Sequence, residues 1–350
     1  MLRRIWQIVL AGLLFCLLIL WPFGQSIHAA VPDPSRPEPL NSGAGVGLQK
    51  QPELVKVGIY ITRLDNFNLK QKSFDASFWL WSVMPNDVSS RLDSVEFVNS
   101  EAIKLSHSYS KKTPSGVWNQ RKVMGTFHHD WDMRNFPFDH QDLLIELEES
   151  EDYLSELVYV PDPAESIVDG DLEIKGWRIV SSEVRAGSKT YMSHFGDPAI
   201  KAGNPTSFTR MNVTVRLKRT NMTAFWKYTA GAYVAAVIAL SSYAFHVDQG
   251  QTMSPRFGLL AAAVFAAIIS LRSESSELGT TEYNTLVDQV HLIALLYVIV
   301  ATLTGVYTWT QYRRHNDCYA IQRLGRRVAL VSTVIMVIMV VGVVKRAAFA

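Results

Sequence analysis

The chain has 350 residues, of which 48% are hydrophobic and 19% are charged, and its formal net charge at pH 7 is +2. This length allows one soluble domain and one membrane domain. The near-neutral charge, without a basic face, argues against a nucleic-acid partner. The hydrophobic residues are concentrated at the N-terminus and after Phe225.

The first 30 residues predict a secretory signal. Two arginines precede an apolar core at residues 8–20, and two alanines end the segment, an order that is typical of cleaved export signals. An uncleaved N-terminal anchor is the alternative, and either one exports the residues that follow. Residues 31–51 are rich in Pro and Gly, which predicts a flexible linker.

Residues 52–220 predict an all-β domain. Apolar residues alternate with polar ones near its end, where Val213, Val215 and Leu217 share one face. The predicted strands are VKVGIYI, FDASFWLW, VEFVN, VWNQRKVMGTF, DLLIELE, LVYV, WRIVSSEV and FTRMNVTVRLK. About eight to ten strands without a long helical period favour a β-sandwich. The two cysteines, Cys16 and Cys318, lie outside this region, so it must fold by core burial without a disulfide.

Residues 221–346 predict a transmembrane domain of four helices, at about residues 225–245, 254–272, 290–310 and 328–344. The loop at residues 311–327 has five arginines and one aspartate, which predicts a cytoplasmic location. The β-domain then lies outside a multi-pass inner (plasma) membrane, in agreement with the signal. Lys345 and Arg346 are basic residues on the outer side and do not follow the rule.

Residues 131–141, WDMRNFPFDHQ, resemble the Phe-Pro-Phe-Asp-x-Gln loop of the pentameric ligand-gated ion channels, the Cys-loop receptor superfamily. The cysteines that bracket this loop would fall at His129 and Leu143, and their absence resembles the bacterial members, which lack the disulfide. The resemblance implies a loop at the bottom of the sandwich that contacts the membrane helices and couples binding to gating. Its residues here are Phe136, Pro137, Phe138, Asp139 and Gln141.

The resemblance extends over about residues 52–346. In the family a basic residue precedes the pore helix, here Arg256, and a Tyr and an Asp follow it by 27 and 32 residues, here Tyr283 and Asp288. Arg219 also matches a family position and is implied to take part in coupling, and Asn99, Gly176 and Trp177 match further positions. Gly231 and Gly279 replace two prolines of the family pattern.

Steps of three and four from Arg256 predict one helical face that corresponds to the pore face of the family. Its residues are Gly258, Ala262, Phe265, Ile269 and Arg272. In a homopentamer, rings of Phe265 and Ile269 would gate by dewetting. The alternative is a face packed in a helical core. The arginine ring favours anions, whereas the nearby Glu274, Glu277 and Glu282 could neutralise it, so ion selectivity stays open.

In this family agonists bind between subunits beneath aromatic side chains, which attract ammonium groups. Spacing from Asp139 puts Ser150 at the main cage position, and Glu148 where amine-binding members keep a carboxylate. Glu148 could instead belong to a solvated acidic run at residues 146–152. The other candidates, some with core packing as the alternative, are Trp79, Trp81, Trp118, Tyr191 and Phe195. Because Ser150 is not aromatic, we expect a proton or another small molecule rather than a quaternary amine.

The predicted function is therefore a homopentameric ligand-gated ion channel subunit without a cofactor, whose partners are the agonist, inorganic ions, the bilayer and identical subunits. A non-conducting membrane sensor of the same fold is the alternative. An enzyme is disfavoured because no nucleophile elbow, zinc motif or phosphate loop is present in the sequence. The segment from His128 to Asp132 does not favour a metal site, since adjacent side chains on an extended chain diverge, although its histidines or His246 could sense protons.

Overall fold

The structure is a computed structural model that describes residues 51–84, 91–201, 203–220, 222–245, 250–278, 283–315 and 318–349. The predicted signal, almost all of the predicted linker, His246, Gly279 and Glu282 lie outside these residues, as do the side chains of Glu274 and Glu277. The described chain divides into two compact units. Residues 51–131 and 140–220 form the β unit, and residues 132–139 with 222–349 form the helical unit.

Two sheets make up the β unit, which confirms the predicted β-rich domain. One sheet has the order β4-β5-β2-β1-β7, with β8 paired to β1, and the other has the order β3-β6-β10-β9. Its described strands are β1 (Glu53–Asn68), β2 (Ser73–Met84), β3 (Val95–Phe97), β4 (Ser100–Thr113), β5 (Gly116–His128), β6 (His140–Glu149), β7 (Leu157–Pro161), β8 (Ile167–Val168), β9 (Trp177–Tyr191) and β10 (Thr206–Arg219).

The two sheets share one apolar core. Phe97 of the second sheet lies 5.7 Å from Phe78 and 6.1 Å from Phe127 of the first sheet, measured between ring centroids. The predicted alternation in β10 holds, because Val213, Val215 and Leu217 are all 2% exposed or less. The core therefore comes from the period-two pattern of the strands.

Strand β4 was not predicted from the sequence. It lies at the edge of the first sheet and pairs with β5, and most of its side chains are exposed. Its ladder is interrupted between Ser106 and Tyr109, where His107 has a φ of 52°. An exposed edge strand needs no apolar face, so its sequence carries no alternation to read.

The described part of the helical unit contains four α-helices: α1 (Thr223–Ser241), α2 (Gly250–Leu278), α3 (Leu286–His315) and α4 (Cys318–Ala348). Three segments are long and apolar enough to cross a membrane, namely Met253–Arg272, Leu286–Arg314 and Cys318–Ala348. These segments indicate a membrane protein. Most helices extend beyond the predicted spans, because an apolar run marks the hydrocarbon-facing part while the helix continues through polar residues. The exception is α1, which ends at Ser241 and continues as a short 3₁₀ helix, Ser242–Ala244.

Small side chains allow these helices to pack closely. One buried cluster joins all four helices through alanines, namely Ala236, Ala239, Ala263, Ala301 and Ala329. Alanine at a helix contact lets the backbones approach, which is the usual packing of helices in membranes. The large apolar residues are left on the outside, where Val237, Leu330 and Ile338 are 64–67% exposed.

Candidate functional site

An acidic and aromatic cleft of about 670 Å³ lies in the β unit, at the end of β6 and β9. Five carboxylate residues line it, and its described lining has no lysine or arginine. These are Glu96, Glu148, Glu149, Glu151 and Asp197. A cleft lined by one sign of charge concentrates ligands of the opposite sign, so this cleft favours a cation.

Four aromatic rings form one wall of the cleft. The Phe208 ring lies 5.3 Å from Tyr153, 6.1 Å from Tyr191 and 6.2 Å from Phe195, and Tyr191 lies 5.3 Å from Phe195. Phe195 is 65% exposed and has a φ of 51°, a conformation that non-glycine residues rarely adopt. Its ring is therefore available to a bound molecule.

A buried charge cluster lies behind this wall. Arg210 is 5% exposed, and its Nε donates to Glu148 Oε2 at 2.6 Å, while its Nη1 donates to Glu146 Oε1 at 3.2 Å. Its Nη2 donates to the Tyr191 hydroxyl at 3.0 Å, and that hydroxyl donates to Glu148 Oε1 at 2.7 Å. The reading of Glu148 as part of a solvated run is wrong, because this carboxylate is 6% exposed and paired.

Two ionisable groups of the cleft each keep a single protonation state at neutral pH. Burial, followed by the hydrogen bond to Glu148 and its charge, raises the pKa of Tyr191 to about 12, so the hydroxyl stays a donor at neutral pH. The Ala199 backbone N–H and then the Tyr153 hydroxyl lower the pKa of Asp197, which keeps this carboxylate charged.

The structure brings together four of the seven predicted ligand-site residues, namely Glu148, Ser150, Tyr191 and Phe195. Ser150 contributes a small hydroxyl, whose Oγ donates to the Ser94 carbonyl at 2.7 Å. The three tryptophans are not among the residues that line the cleft. Trp79 and Trp81 lie on β2 and Trp118 on β5, both in the other sheet.

Each of these tryptophans has a neighbour of its own. Trp118 lies 5.8 Å from the Tyr109 ring, and Trp79 lies 5.7 Å from Lys122 Nζ. Trp81 packs on Gly58, where an added Cβ would lie 2.3 Å from the indole. Within one chain they therefore serve packing in the first sheet.

Residues Asp132–Asp139, which we name the FPFD loop, belong to the helical unit although they lie between two strands in the sequence. The Met133 backbone N–H donates to the Tyr283 hydroxyl at 2.9 Å. The Leu286 N–H donates to the Arg134 carbonyl at 3.0 Å. The loop is thus bonded to the residues that lead into α3.

Two phenylalanines of the FPFD loop pack on α1. Phe136 lies 5.6 Å from Tyr228, and Phe138 lies 5.7 Å from Phe225. The bond between Phe136 and Pro137 is cis. The contact between this loop and the helices that the sequence led us to expect is therefore present.

The remaining predicted coupling residues have separate surroundings. Asp139 is 3% exposed. Asp288 caps α3, since its Oδ2 accepts from the Thr285 N–H at 2.8 Å and its own N–H donates to Thr285 Oγ1 at 3.0 Å, a reciprocal pattern like the capping box. In the β unit, the Arg219 guanidinium lies 4.0 Å from the Trp177 ring.

Gln141 of the β unit pairs with a histidine. His129 Nε2 lies 3.3 Å from Gln141 Oε1, and its ring lies 4.6 Å from Trp131. Burial lowers the pKa of His129 more than this hydrogen bond and the nearby Asp130 raise it. The neutral ring therefore donates to Gln141 at neutral pH. Among the described residues, no group of three or more His, Cys, Asp or Glu side chains is placed to hold a metal ion.

The predicted pore face of α2 is uncovered in the single chain. Phe265 is 67% exposed and Ile269 is 66% exposed, and Gly258, Ala262 and Arg272 are exposed as well. The opposite face is buried and includes Leu260, Ala263 and Ala267, each 3% exposed or less. The stripe is thus free to contact other chains, lipid or an aqueous pore.

Arg256 is turned into the helical unit. It is 2% exposed, its Nη1 lies 3.4 Å from Thr308 Oγ1, and its guanidinium lies 5.6 Å from the Tyr243 ring. The sequence pattern did not predict this burial.

Sequence reasoning also missed Arg210, Tyr153, Phe208 and Asp197. The sequence alone gave no signal for Arg210, because only the register of the β6–β10 ladder shows that it lies directly opposite Glu148. Opposite charges at facing positions are expected to pair.

No family model matches the sequence, and a search of the curated proteins found no match.

Proposed function

We propose that this protein is a subunit of a homopentameric ligand-gated ion channel of the bacterial inner membrane. A small organic cation binds the cleft of the β unit, and a pore lined by α2 opens. The observation that carries this proposal is the bonding of the FPFD loop to Tyr283, which precedes α3, and to Leu286, the first residue of α3.

The β6 strand links the cleft directly to this loop. It begins at His140, immediately after the FPFD loop, and ends at Glu149 in the lining of the cleft. Its partner β10 contributes Phe208 to the cleft and ends at Arg219, four residues before α1 begins at Thr223. The Arg210–Glu148 pair bonds these two strands. A change at the cleft therefore has two continuous strands through which to act on the helices.

The cleft supports a cationic ligand. Aromatic faces attract an organic cation by about 0.5–2 kcal/mol per ring contact, and the carboxylates add long-range attraction. Glu148 is engaged by Arg210, so it holds Tyr191 in place rather than serving as the free counter-charge. Exposed Glu151 and charged Asp197 supply that charge instead.

The pore follows from five copies of the exposed stripe on α2, with α1 as the fourth membrane span. Rings of Phe265 and Ile269 close the pore by excluding water. Ligand binding opens it because the cleft has a higher affinity for the cation in the open state than in the closed state.

Recording from purified protein in planar bilayers tests the proposal, with a panel of small primary and quaternary amines. We expect amine-evoked current, and Phe195→Ala should raise the half-activating concentration about tenfold through loss of a cation–π contact. Met192→Ala is the matched control, because Met192 is 88% exposed at the end of the same loop and does not line the cleft.

Two results would count against the proposal. Amine binding without current, lost in Phe195→Ala, would favour the non-conducting sensor. Absence of both binding and current would refute both the ligand site proposed in the cleft and the pore proposed along α2.

A further inference from the structure

A groove of about 910 Å³ lies in the β unit, between the segment that follows β8 and the first residues of β9. We name it the β9 groove. It is separate from the acidic cleft, because the two linings have no residue in common. Its apolar lining consists of Ile167, Val168, Leu172, Ile174, Trp177 and Ile179.

One wall of the β9 groove is the free edge of a sheet. Strand β9 is the last strand of the second sheet, and in the described chain only β10 pairs with it. Within the same described chain, no backbone hydrogen bond joins residues 178–182 to the segment at residues 167–175. The ladder also has a bulge at Val180, which has no opposite residue on β10, and bulges recur beside binding sites. The outer N–H and C=O groups of residues 178–182 are therefore available to another strand.

The other wall is a segment that main-chain hydrogen bonds hold in place. β8 pairs with β1, and the Asp169 N–H then donates to the Ile61 carbonyl at 2.9 Å. The Leu172 N–H donates to the Asp169 carbonyl at 3.1 Å. The Trp177 N–H donates to the Ile174 carbonyl at 3.0 Å. Both walls are thus formed before a ligand binds, which lowers the entropic cost of binding.

Charges of both signs line the groove. Glu173, Lys175 and Arg178 are exposed, and in the described part of the chain none of their side chains has a hydrogen bond or an ion pair. Asp169 differs, because its Oδ1 accepts from the Asp171 N–H at 3.1 Å and so shapes the segment. The groove therefore offers two cations and one carboxylate to a ligand that carries both charges.

A free strand edge beside an apolar groove fits an extended peptide. A peptide strand exchanges hydrogen bonds with an unpaired edge along its length, and its alternate side chains enter the pockets beside that edge. At about 3.4 Å per residue, residues 178–182 extend over about 17 Å, which matches a peptide of four or five residues. A single amino acid is too short to use this edge.

We propose that the β9 groove binds a short peptide in an extended conformation, which adds a strand to the free edge of β9. Apolar side chains of the peptide pack on the apolar lining. Its terminal carboxylate accepts from Lys175 and Arg178, in charge-assisted hydrogen bonds, and Glu173 attracts its ammonium group. Main-chain bonding supplies most of the affinity, so the groove accepts many sequences. This site does not depend on channel activity.

Isothermal titration calorimetry of the full-length protein in detergent tests the site with the peptide Thr-Val-Thr-Val. Its β-branched residues favour an extended chain, and we expect saturable binding. Methylation of its three amide nitrogens removes the donors to β9 and should weaken binding at least tenfold. Amidation of its terminal carboxyl group should weaken binding about tenfold.

Arg178→Gln separates the carboxylate contact from the strand contact. This variant should bind the free-acid peptide about tenfold more weakly than the wild type does, and the amidated peptide with nearly wild-type affinity. The matched control is Arg185→Gln on the same strand, because Arg185 pairs with Glu183 and does not line the groove. It should bind both peptides as the wild type does.

Four results would overturn the proposal. These are no binding at millimolar peptide, equal affinity for the methylated peptide, an equal loss in Arg185→Gln, and loss of binding in Phe195→Ala, which would place the peptide in the acidic cleft. Light scattering at saturating peptide adds a further check, and we expect an unchanged mass of the protein. A fall in mass would assign the groove to a second copy of this chain and would contradict a peptide site.

Discussion

Small side chains make up a larger share of the buried residues in the helical unit than in the β unit. In the β unit the fully buried residues include Phe74, Phe78 and Phe127, each at 0% exposure. In the helical unit Ala232, Ala239 and Ala263 are at 0%, while large residues such as Val237 and Leu330 stay exposed. Large apolar side chains are buried when the solvent is water, whereas hydrocarbon gives no such drive.

The two units also differ in how they treat charge. The β unit encloses Arg210 with Glu146 and Glu148. In the helical unit the buried Arg256 has the Thr308 hydroxyl and the Tyr243 ring beside it. The FPFD loop lies between two strands in the sequence but belongs to the helical unit, where its Phe138 packs on Phe225 of α1. The difference teaches that carboxylates balance the buried guanidinium in the β unit, whereas a hydroxyl and an aromatic ring lie beside the buried guanidinium in the helical unit.

Removing the buried charge cluster gives the largest expected effect. Arg210→Met leaves two buried carboxylates without their guanidinium, which costs about 3–5 kcal/mol of unfolding free energy. Chemical unfolding followed by tryptophan fluorescence measures this loss. The control is Arg216→Gln on the same strand, whose exposed pair with Asp142 has N–O distances of 2.7 Å. An exposed pair contributes at most about 1 kcal/mol, so equal losses would contradict the distinction.

Cutting one bond of the FPFD loop gives a smaller effect. Tyr283→Phe removes the acceptor of the Met133 N–H, a net loss of about 0.5–1.5 kcal/mol. If this bond couples the units, the half-activating amine concentration should rise about fivefold. Tyr109→Phe, on the exposed edge strand, should leave activation unchanged. Unchanged activation in Tyr283→Phe would show that coupling takes another route.

The smallest effect is expected on acidification of the β unit. Burial lowers the pKa of His129 below its usual value of 6.5. A histidine whose folded pKa is lowered stabilises the fold fully above its unfolded pKa, and this stability is lost as the pH falls from 6.5 through the folded pKa. His129→Gln keeps a donor towards Gln141. This variant should remove most of the dependence of the unfolding midpoint on pH over this window. His128→Gln, at the exposed adjacent position, should keep the wild-type pH profile. Identical pH profiles for His129→Gln and His128→Gln would refute the assignment of this pH dependence to His129.

The sequence predicted the features that follow from hydrophobic periodicity and from whether a segment faces water or lipid. Alternation in β10 and the apolar runs of α2 to α4 follow from what each residue faces, so strands and spans could be read without tertiary information. Helical spacing also grouped Gly258 to Arg272 on one face of α2, but spacing alone left a packed core as the alternative, and the structure shows that this face is exposed in the single chain. The edge strand β4 gave no such signal, because exposed residues on both of its faces need no pattern.

The details of the cleft could not be read in the same way. Arg210 and Glu148 are 62 residues apart in sequence, and only their facing positions in the β6–β10 ladder bring them together. The same holds for Arg256, whose burial depends on Tyr243 and Thr308 from other helices. Residue spacing along the chain identifies which side chains share one face of a helix or strand. The partners that a side chain contacts across a core can be identified only from the fold.

Two adjacent alanines of α2 test most directly whether its exposed stripe lines a conducting pore. Ala262 is exposed and Ala263 is 0% exposed. Each is replaced by cysteine in a background where Cys16 and Cys318 are serine, and amine-evoked current is recorded before and after a charged methanethiosulfonate reagent. A pore predicts that current through Ala262→Cys is blocked and that current through Ala263→Cys is unaffected. Block at both positions, or at neither, would contradict the assignment of this stripe to the pore.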